Sequence, residues 1–476
     1  MEPPDRARAG PAVMLAVLLV APFLAQADAT IANVAIPSIR EHLHASGASA
    51  QMVIGGYLIA YAVLLITGAR LGQTHGYKRL FMLGVAVFGT ASLAGGLAPS
   101  ALVLVAARVL QGGSAAMMYP QTLTGIQINF SGRARTRAVG LFAMALAAGA
   151  VVGQLLGGIL VSADIAGAGW RPIFLVNVPV CLVVLVAARR YLPSDRHARH
   201  PAPRAGDDGA RAPRQVDLLG VAALSLAVLT IVVPLVVGPD LGWPVWTWVC
   251  LALGVPACWY FVHTQNRRVE LGLPPVVDVA VIRRRPVSLG LLALLLATAT
   301  YYALLFVFAQ YVQQGLHRSA LASGLVLIPW VAAFGAAGPL TRRLPDRWQT
   351  RLPAGGYLLL AAAYAAIAAV TEGIGGLSVA LMVALGLGGL GLGIGFTTLL
   401  SHLTNAVDAS RAPDISGVST TTLQIGGALG VAAFGSIYFA LTAPAADVTR
   451  GLSLTAGLLA AVGLLAAGVA HLATRR

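Results

Sequence analysis

Apolar residues in this chain are gathered into long runs separated by short polar breaks. A helix needs about 20 residues to cross bilayer hydrocarbon. Fourteen runs approach or exceed that length, near residues 13–36, 51–70, 79–98, 101–125, 138–161, 172–190, 216–238, 244–264, 287–311, 321–341, 353–371, 375–400, 416–441 and 451–473. Lipid offers no partner for backbone N–H and C=O groups, so each run must bond within itself as a helix. The pattern predicts an all-α polytopic membrane protein of 14 transmembrane helices, arranged as two six-helix bundles plus two inserted central helices.

The breaks carry the domain reading. A Pro-, Gly-, Arg- and Asp-rich connector follows the sixth run, and a second basic segment, Arg267 to Arg285, follows the eighth. The expected organisation is an N-terminal six-helix half over 1–192, a linker over 193–215, two inserted helices with their basic connector over 216–286, and a C-terminal six-helix half over 287–476. The turn after the second run, Gly68 to Arg79, has a weak echo after the tenth, Gly338 to Arg347. The fifth run is striped with Gly149, Gly153, Gly157 and Gly158, and the thirteenth with Gly426, Gly427, Gly430 and Gly435. Such internal symmetry is what repeat-built secondary transporters carry, with the substrate site near the midplane between repeats.

Composition agrees. Of 476 residues, 58% are hydrophobic and 10% charged, with a mean hydropathy of +0.80; soluble domains carry about 25% charge. The net charge of +15 would suggest nucleic acid in a soluble chain. Here its distribution excludes that reading. If the N-terminus is cytoplasmic, 27 of the 32 Lys and Arg residues fall in cytoplasmic segments and 4 on the opposite side, as the positive-inside rule requires. Both termini are therefore expected in the cytoplasm, with the chain multi-pass in the plasma membrane. The first run is too long for a signal-peptide core and is expected to be retained. Cys181, Cys250 and Cys258 all lie in apolar runs and form no disulfide framework.

Two charges break the apolar pattern. Of 17 Asp and Glu residues only Asp28 lies well inside a run, and of the Lys and Arg residues only Arg108 does. A carboxylate at membrane depth costs on the order of 3 kcal/mol or more, and such residues commonly mark proton or substrate pathways. Asp28 and Arg108 are the proton-coupling candidates. The alternatives are an Asp28 that snorkels to the headgroups and an Arg108 that only caps helix-end carbonyls. Gln111 shares a helical face with Arg108. Gly149, Gly153 and Gly157 form a small-residue stripe suited to close helix contact.

Gln26, Asn33, Tyr57, Gln111, Tyr119, Tyr302, Phe306, Gln310 and Trp330 are candidates for a greasy substrate cavity, in which apolar walls carry a few polar groups. Tyr61, Gln121 and Tyr301 lie among them. Gly386 to Gly395 contains GxGxxG spacing, but no strand precedes it, so packing accounts for it better than a dinucleotide. His42 and His44 lack a third ligand, no Walker A motif is present, and no hydrolytic Ser/His/Asp set is discernible. No metal, cofactor or enzymatic activity is expected.

Taken together and in order, these features resemble the major facilitator superfamily, in its fourteen-span drug:proton antiporter branch, over nearly the whole chain. The resemblance rests on Asp28, Thr30, Ile31, Asn33, Ala35 and Pro37; on Arg108, Gln111, Gly112 and Ala116; and on Gly149, Gly153, Gly157 and Gly158. It continues through Trp170, Arg171, Phe174, Asn177 and Pro179; Asp217 and Gly220; Gln310, Tyr311, Gln313, Ser319, Gly324, Leu327 and Pro329; and Ser416, Gly417, Gln424, Gly426, Gly427 and Gly430. Gly68, Gly76, Lys78 and Arg79 fit the family's cytoplasmic gating loop, but Gln73 stands where the family has an acid. Gln154 stands where the antiporter motif has proline after Gly153.

The resemblance implies proton-driven export of small hydrophobic or amphipathic molecules by alternating access, by a chain expected to be a monomer. One proton crossing 100 mV supplies about 2.3 kcal/mol. Same-fold alternatives are an exporter dedicated to one metabolite, such as a natural product or siderophore, and a non-transporting sensor. A membrane-embedded enzyme is the alternative from another class.

Overall fold

The computed structural model describes residues 10–193, 217–238, 241–273, 275, 279–341, 343–345, 348–374, 376–406, 412–442 and 448–475. All 14 apolar runs are helical. They are α1 (Gly10–Leu43), α2 (Gly47–His75), α3 (Tyr77–Gly96), α4 (Ala101–Asn129), α5 (Gly132–Ala163), α6 (Pro172–Tyr191), α7 (Leu218–Val237), α8 (Val245–Glu270), α9 (Arg285–Gly315), α10 (Ala320–Thr341), α11 (Leu352–Gly373), α12 (Val379–Asn405), α13 (Ala412–Leu441) and α14 (Val448–Thr474). Among the described residues, 13 are long and apolar enough to cross a membrane; α7 carries the shorter apolar run Leu219–Leu235. Its 20 residues still reach about 30 Å at 1.5 Å per residue. The linker expected over 193–215 lies, apart from Pro193, outside the described residues.

Three spans are less regular than the apolar pattern alone implies. α6 is a short helix, Pro172–Leu175, followed by Asn177–Tyr191. α10 is Ala320–Val326 followed by Ile328–Thr341. α9 ends in a π-turn over Tyr311–Gly315. Helix starts follow ordinary capping chemistry. The Ser100, Ser319 and Ser378 hydroxyls accept from Val103, Ala322 and Leu381 N–H, and the Asp217 carboxylate accepts from Gly220 N–H at 2.8 Å. Gly76 makes the tight turn between α2 and α3 with φ 98°, a conformation that glycine adopts without steric penalty.

The packing repeats. In the first bundle α1 packs on α5, α2 on α4, α3 on α4, and α3 on α6. In the last six helices the equivalent pairs are α9 on α13, α10 on α12, α11 on α12, and α11 on α14. The glycine stripes explain the closest pair in each. A Cβ at Gly149, Gly153 or Gly157 would lie 2.5, 2.3 or 2.9 Å from the carbonyl oxygens of Phe23, Ala27 and Ile31 on α1. A Cβ at Gly426 or Gly430 would lie 2.6 or 2.0 Å from the carbonyl oxygens of Leu295 and Ala299 on α9. Backbone meets backbone in both, as small-residue interfaces in lipid allow.

The glycine-rich stretch of α12 has a packing role. Gly388 and Gly389 bed the Trp330 ring and backbone, and Gly395 lies against the Tyr357 ring.

The bundles meet along two flanks, α2 with α13 and α5 with α10, and α1 packs against α9 between them. The polar contacts across this seam include Gln51 Nε2 to Ser436 Oγ (3.1 Å), Gln313 Nε2 to the Val34 carbonyl (2.7 Å) and Leu321 N–H to Ser162 Oγ (2.9 Å). The Arg40 guanidinium lies 4.4 Å from the Phe439 ring centroid. All of these residues belong to the end of the bundle remote from the start of α1, called here the distal end. The inserted hairpin, α7 on α8, packs against both α2 and α13. Its base is tied by the Asp217–Arg268 ion pair (3.2 Å) and by Gln265 on Asp217.

Candidate functional site

Asp28 and Arg108 form a buried ion pair, with side chains at 0% exposure. Asp28 sits near the middle of α1 and Arg108 in α4. A Cβ at Gly112, one turn on from Arg108, would lie 2.1 Å from the Tyr57 carbonyl oxygen, so the glycine lets α2 and α4 come close enough to enclose the pair.

The carboxylate is an acceptor on both oxygens. Arg108 NH1 donates to Oδ2. Gln111 Nε2 donates to Oδ1 at 3.2 Å and Asn177 Nδ2 donates to Oδ1 at 2.8 Å. The guanidinium spreads its other donors over Gln111 Oε1 (3.0 Å) and the Val53 carbonyl (2.8 Å). Its charge lies 4.4 Å from the Tyr57 ring centroid and 5.7 Å from that of Phe174, within cation–π range. Ser92 Oγ accepts from Gln111 Nε2 at 2.8 Å and from Asn177 Nδ2 at 3.4 Å. Tyr57 is held in place by its own hydroxyl, which donates to the Ala25 carbonyl at 2.8 Å.

This ring suits an acceptor-only carboxylate. A protonated Asp28 would bring its own donor into a ring already filled with donors, and at least one partner would have to turn away. The groups on the Asp28 carboxylate come from α4 and α6, and Ser92 of α3 bonds to two of them, so with α1 itself the network joins four helices of the first bundle.

Among the other sequence candidates, Gln111 is a member of the ion-pair network, and Tyr57 is fully buried against Arg108 rather than facing open space. Gln26 and Tyr119 are half-buried. The Tyr302 phenol approaches the Gln26 amide across the bundles, and Tyr119 packs edge-to-face on Tyr61 and Phe142. Phe306 lies edge-to-face against Phe439. Trp330 is stacked between Tyr301 and Tyr364 in the last bundle. Asn33 and Gln310 are buried. Lys78 Nζ donates to the Arg189 and Leu192 carbonyls at the end of α6, at 3.0 and 2.5 Å. A Cβ at Gly68 would lie 2.2 Å from the Ala116 carbonyl oxygen. Arg79 is exposed, and the Gln73 side chain lies outside the described residues. A Cβ at Gly158 would lie 2.9 Å from the Ala320 carbonyl oxygen on α10, and Gln154 is buried on the same face of α5.

Ser92 and the Val53 carbonyl were not singled out from the sequence. A lone serine in an apolar helix and a backbone oxygen carry no mark. Asn177 was noted only as part of a resembling segment, although an amide at the start of an apolar span is itself a usable signal. Among the described residues, no group of three or more His, Cys, Asp or Glu residues could hold a metal ion, and the three cysteines are free thiols.

An all-helical bundle of this length, with a doubled packing pattern and one ion pair at its centre, has the architecture of a membrane transporter. The solved structure of a bacterial homologue of the human lysosomal transporter Spinster, inward-facing and occupied, superposes with a TM-score of 0.69 over 98% of both chains at 16% identity. Residues 18–431 match the Major Facilitator Superfamily, and the chain belongs to that family. It is a multi-pass membrane transporter of small molecules and not an enzyme. Its similar proteins include the probable actinorhodin transporter of Streptomyces coelicolor, 32% identical over 97% of this chain and 79% of that protein. The tetracenomycin C resistance and export protein of Streptomyces glaucescens is 32% identical over 89% of this chain and 74% of its own length. The multidrug resistance protein Stp of Mycobacterium tuberculosis is 29% identical over 87% and 73%.

Proposed function

We propose that this protein exports small hydrophobic or amphipathic organic molecules, antibiotics among them, in exchange for protons. The cycle is alternating access between the half over 1–192 and the half over 287–476, which are joined through the 193–215 linker and the inserted segment 216–286. The observation that carries the proposal is the fully buried Asp28–Arg108 pair with Gln111 and Asn177 on the same carboxylate. Protonation of Asp28 displaces a donor, loosens α1 from α4 and α6, and lets the bundles rock. The doubled packing of the two bundles supports the rocking motion, and the small-residue faces between α1 and α5 and between α9 and α13 give each bundle a rigid spine. The working unit is a monomer in the plasma membrane with both termini in the cytoplasm, as the 27-to-4 distribution of basic residues supports.

The names of the relatives favour antibiotic-like cargo, and those named for actinorhodin and tetracenomycin C also support a version of this reading with one dedicated natural product. Both versions are tested by one experiment. Purified protein in liposomes with an imposed pH gradient is offered a panel of unrelated dyes and polycyclic antibiotics, alongside Asp28→Asn. The expected result is gradient-dependent uptake into acid-inside vesicles that Asp28→Asn abolishes. Transport of a single compound would select the dedicated version. Undiminished coupled transport by Asp28→Asn would remove the carboxyl from the mechanism.

A further inference from the structure

We propose that Asn33, Gln154, Gln310 and Ser323 form a hydrogen-bonding station for uncharged oxygen groups of the cargo, on the distal side of the Asp28 site. This rests on the export reading. Each of the four is at most 2% exposed. Asn33 Oδ1, both amide atoms of Gln154, both of Gln310, and Ser323 Oγ have no hydrogen-bond partner among the described residues. Buried polar side-chain atoms are ordinarily paired, and leaving one unpaired is costly. Six such atoms within about one helical turn along one seam call for an explanation.

Their convergence follows from helix register. α1, α5, α9 and α10 are mutual neighbours around the seam, with α1 touching the other three, α5 touching α10, and α9 touching α10. Gly153 meets Ala27 and Thr30 of α1, which sets Gln154 about one turn below Asn33. Gln154 shares a helical stripe with Gly158, which meets Ala320 and Leu321 of α10. A Cβ at Gly324 would lie 2.7 Å from the Gln154 carbonyl oxygen, so Ser323 is level with Gln154. On α9, Gln313 donates to the Val34 carbonyl, which sets Gln310 level with Asn33.

The chemistry of the set defines its ligand. None of the four is charged. The two glutamines each offer a donor and an acceptor, the serine offers both, and the Asn33 amide N–H groups are already directed at the Ala29 and Thr30 carbonyls, leaving its oxygen as an acceptor. Such a layer suits ketone, hydroxyl and ether oxygens, and without a carboxylate it offers a cation no ion pair. Gly158 and Gly324 line the same seam, so a planar ligand meets backbone rather than bulk there when the seam parts. The station therefore selects oxygen-rich neutral cargo.

The test uses the full-length protein in liposomes with two probes, a dihydroxyanthraquinone (neutral and oxygenated) and tetraphenylphosphonium (cationic, with neither oxygen nor N–H). Gln154→Leu, Gln310→Leu and their combination are compared with the wild type, with Ser323→Ala as a milder variant that carries the test should the leucine variants fail to fold. The expected result is a KM for the anthraquinone raised about tenfold or more in the double variant, with tetraphenylphosphonium transport within twofold of wild type. The anthraquinone should also raise the thermal unfolding temperature of the wild type and not of the double variant. Equal effects on both probes, or no effect on either, overturn the station and leave the export reading standing. A wild type that moves only tetraphenylphosphonium also overturns it. A wild type that moves neither probe and no other compound of the wider panel overturns the export reading itself.

Discussion

Replacing Arg108 with methionine removes the only basic partner of Asp28 among the described residues while keeping an apolar side chain. The carboxylate would be left with the Gln111 and Asn177 amides alone, inside a site with no exposure. The Val53 carbonyl and Gln111 Oε1 would lose their donors as well. Breaking a buried pair from one side destabilises by about 3–5 kcal/mol, whereas replacing both charges by neutral groups is often neutral or stabilising. Arg108→Met is therefore expected to lower unfolding free energy by roughly 4 kcal/mol. Asp28→Asn combined with Arg108→Met should recover most of that loss, ending within about 1 kcal/mol of wild type, because an asparagine oxygen still accepts from an amide. The measurement is a double-mutant cycle of unfolding in mixed micelles, followed by tryptophan fluorescence. Additivity of the two substitutions within about 0.5 kcal/mol would refute the reasoning, since it would mean the two charges do not depend on one another.

Three further outcomes are expected. Gly153→Val places side-chain atoms against the Ala27 carbonyl and the Thr30 hydroxyl; overpacking of this kind costs about 1–3 kcal/mol, and wild-type thermal stability would show that α1 and α5 are not in contact there. Lys78→Met deletes two bonds to the end of α6; Lys78 is half-exposed, so a loss of about 1 kcal/mol is expected, and wild-type stability would show that these bonds contribute nothing. Ser162→Cys paired with Leu321→Cys bridges α5 to α10 at the distal seam; oxidation should stop transport and reduction restore it, and a cross-linked protein still transporting at full rate would show that this seam does not open during the cycle.

The membrane architecture was legible because hydrocarbon imposes a length and a polarity on every span, and both are read residue by residue. Asp28 and Arg108 were legible for the same reason, as charges in runs that should have none. Their contact was not, because nothing in sequence spacing relates a position in α1 to one 80 residues further on. Ser92 escaped notice because its role depends on neighbours from α4 and α6. Tyr57 and Trp330 illustrate the opposite difficulty. Aromatic residues in apolar helices read alike from sequence, yet one covers a guanidinium and the other is stacked within the last bundle. The helix break at Val176, between Leu175 and Asn177, was equally hidden, since no glycine or proline occupies it.

The inserted hairpin has a mechanical consequence. α7 leans on α2 from the first bundle and on α13 from the last, so neither bundle can carry it without sliding past the other contact. In the proposed cycle it would act as a bearing on one flank, adding friction and guidance where α2 meets α13. Across the seam, α5 and α10 meet through glycine and, among the described residues, the Ser162 bond to Leu321 N–H. Relative motion of the bundles should then be a swing rather than a symmetric rocking, with the guided flank as its pivot and the widest parting on the side where α5 faces α10.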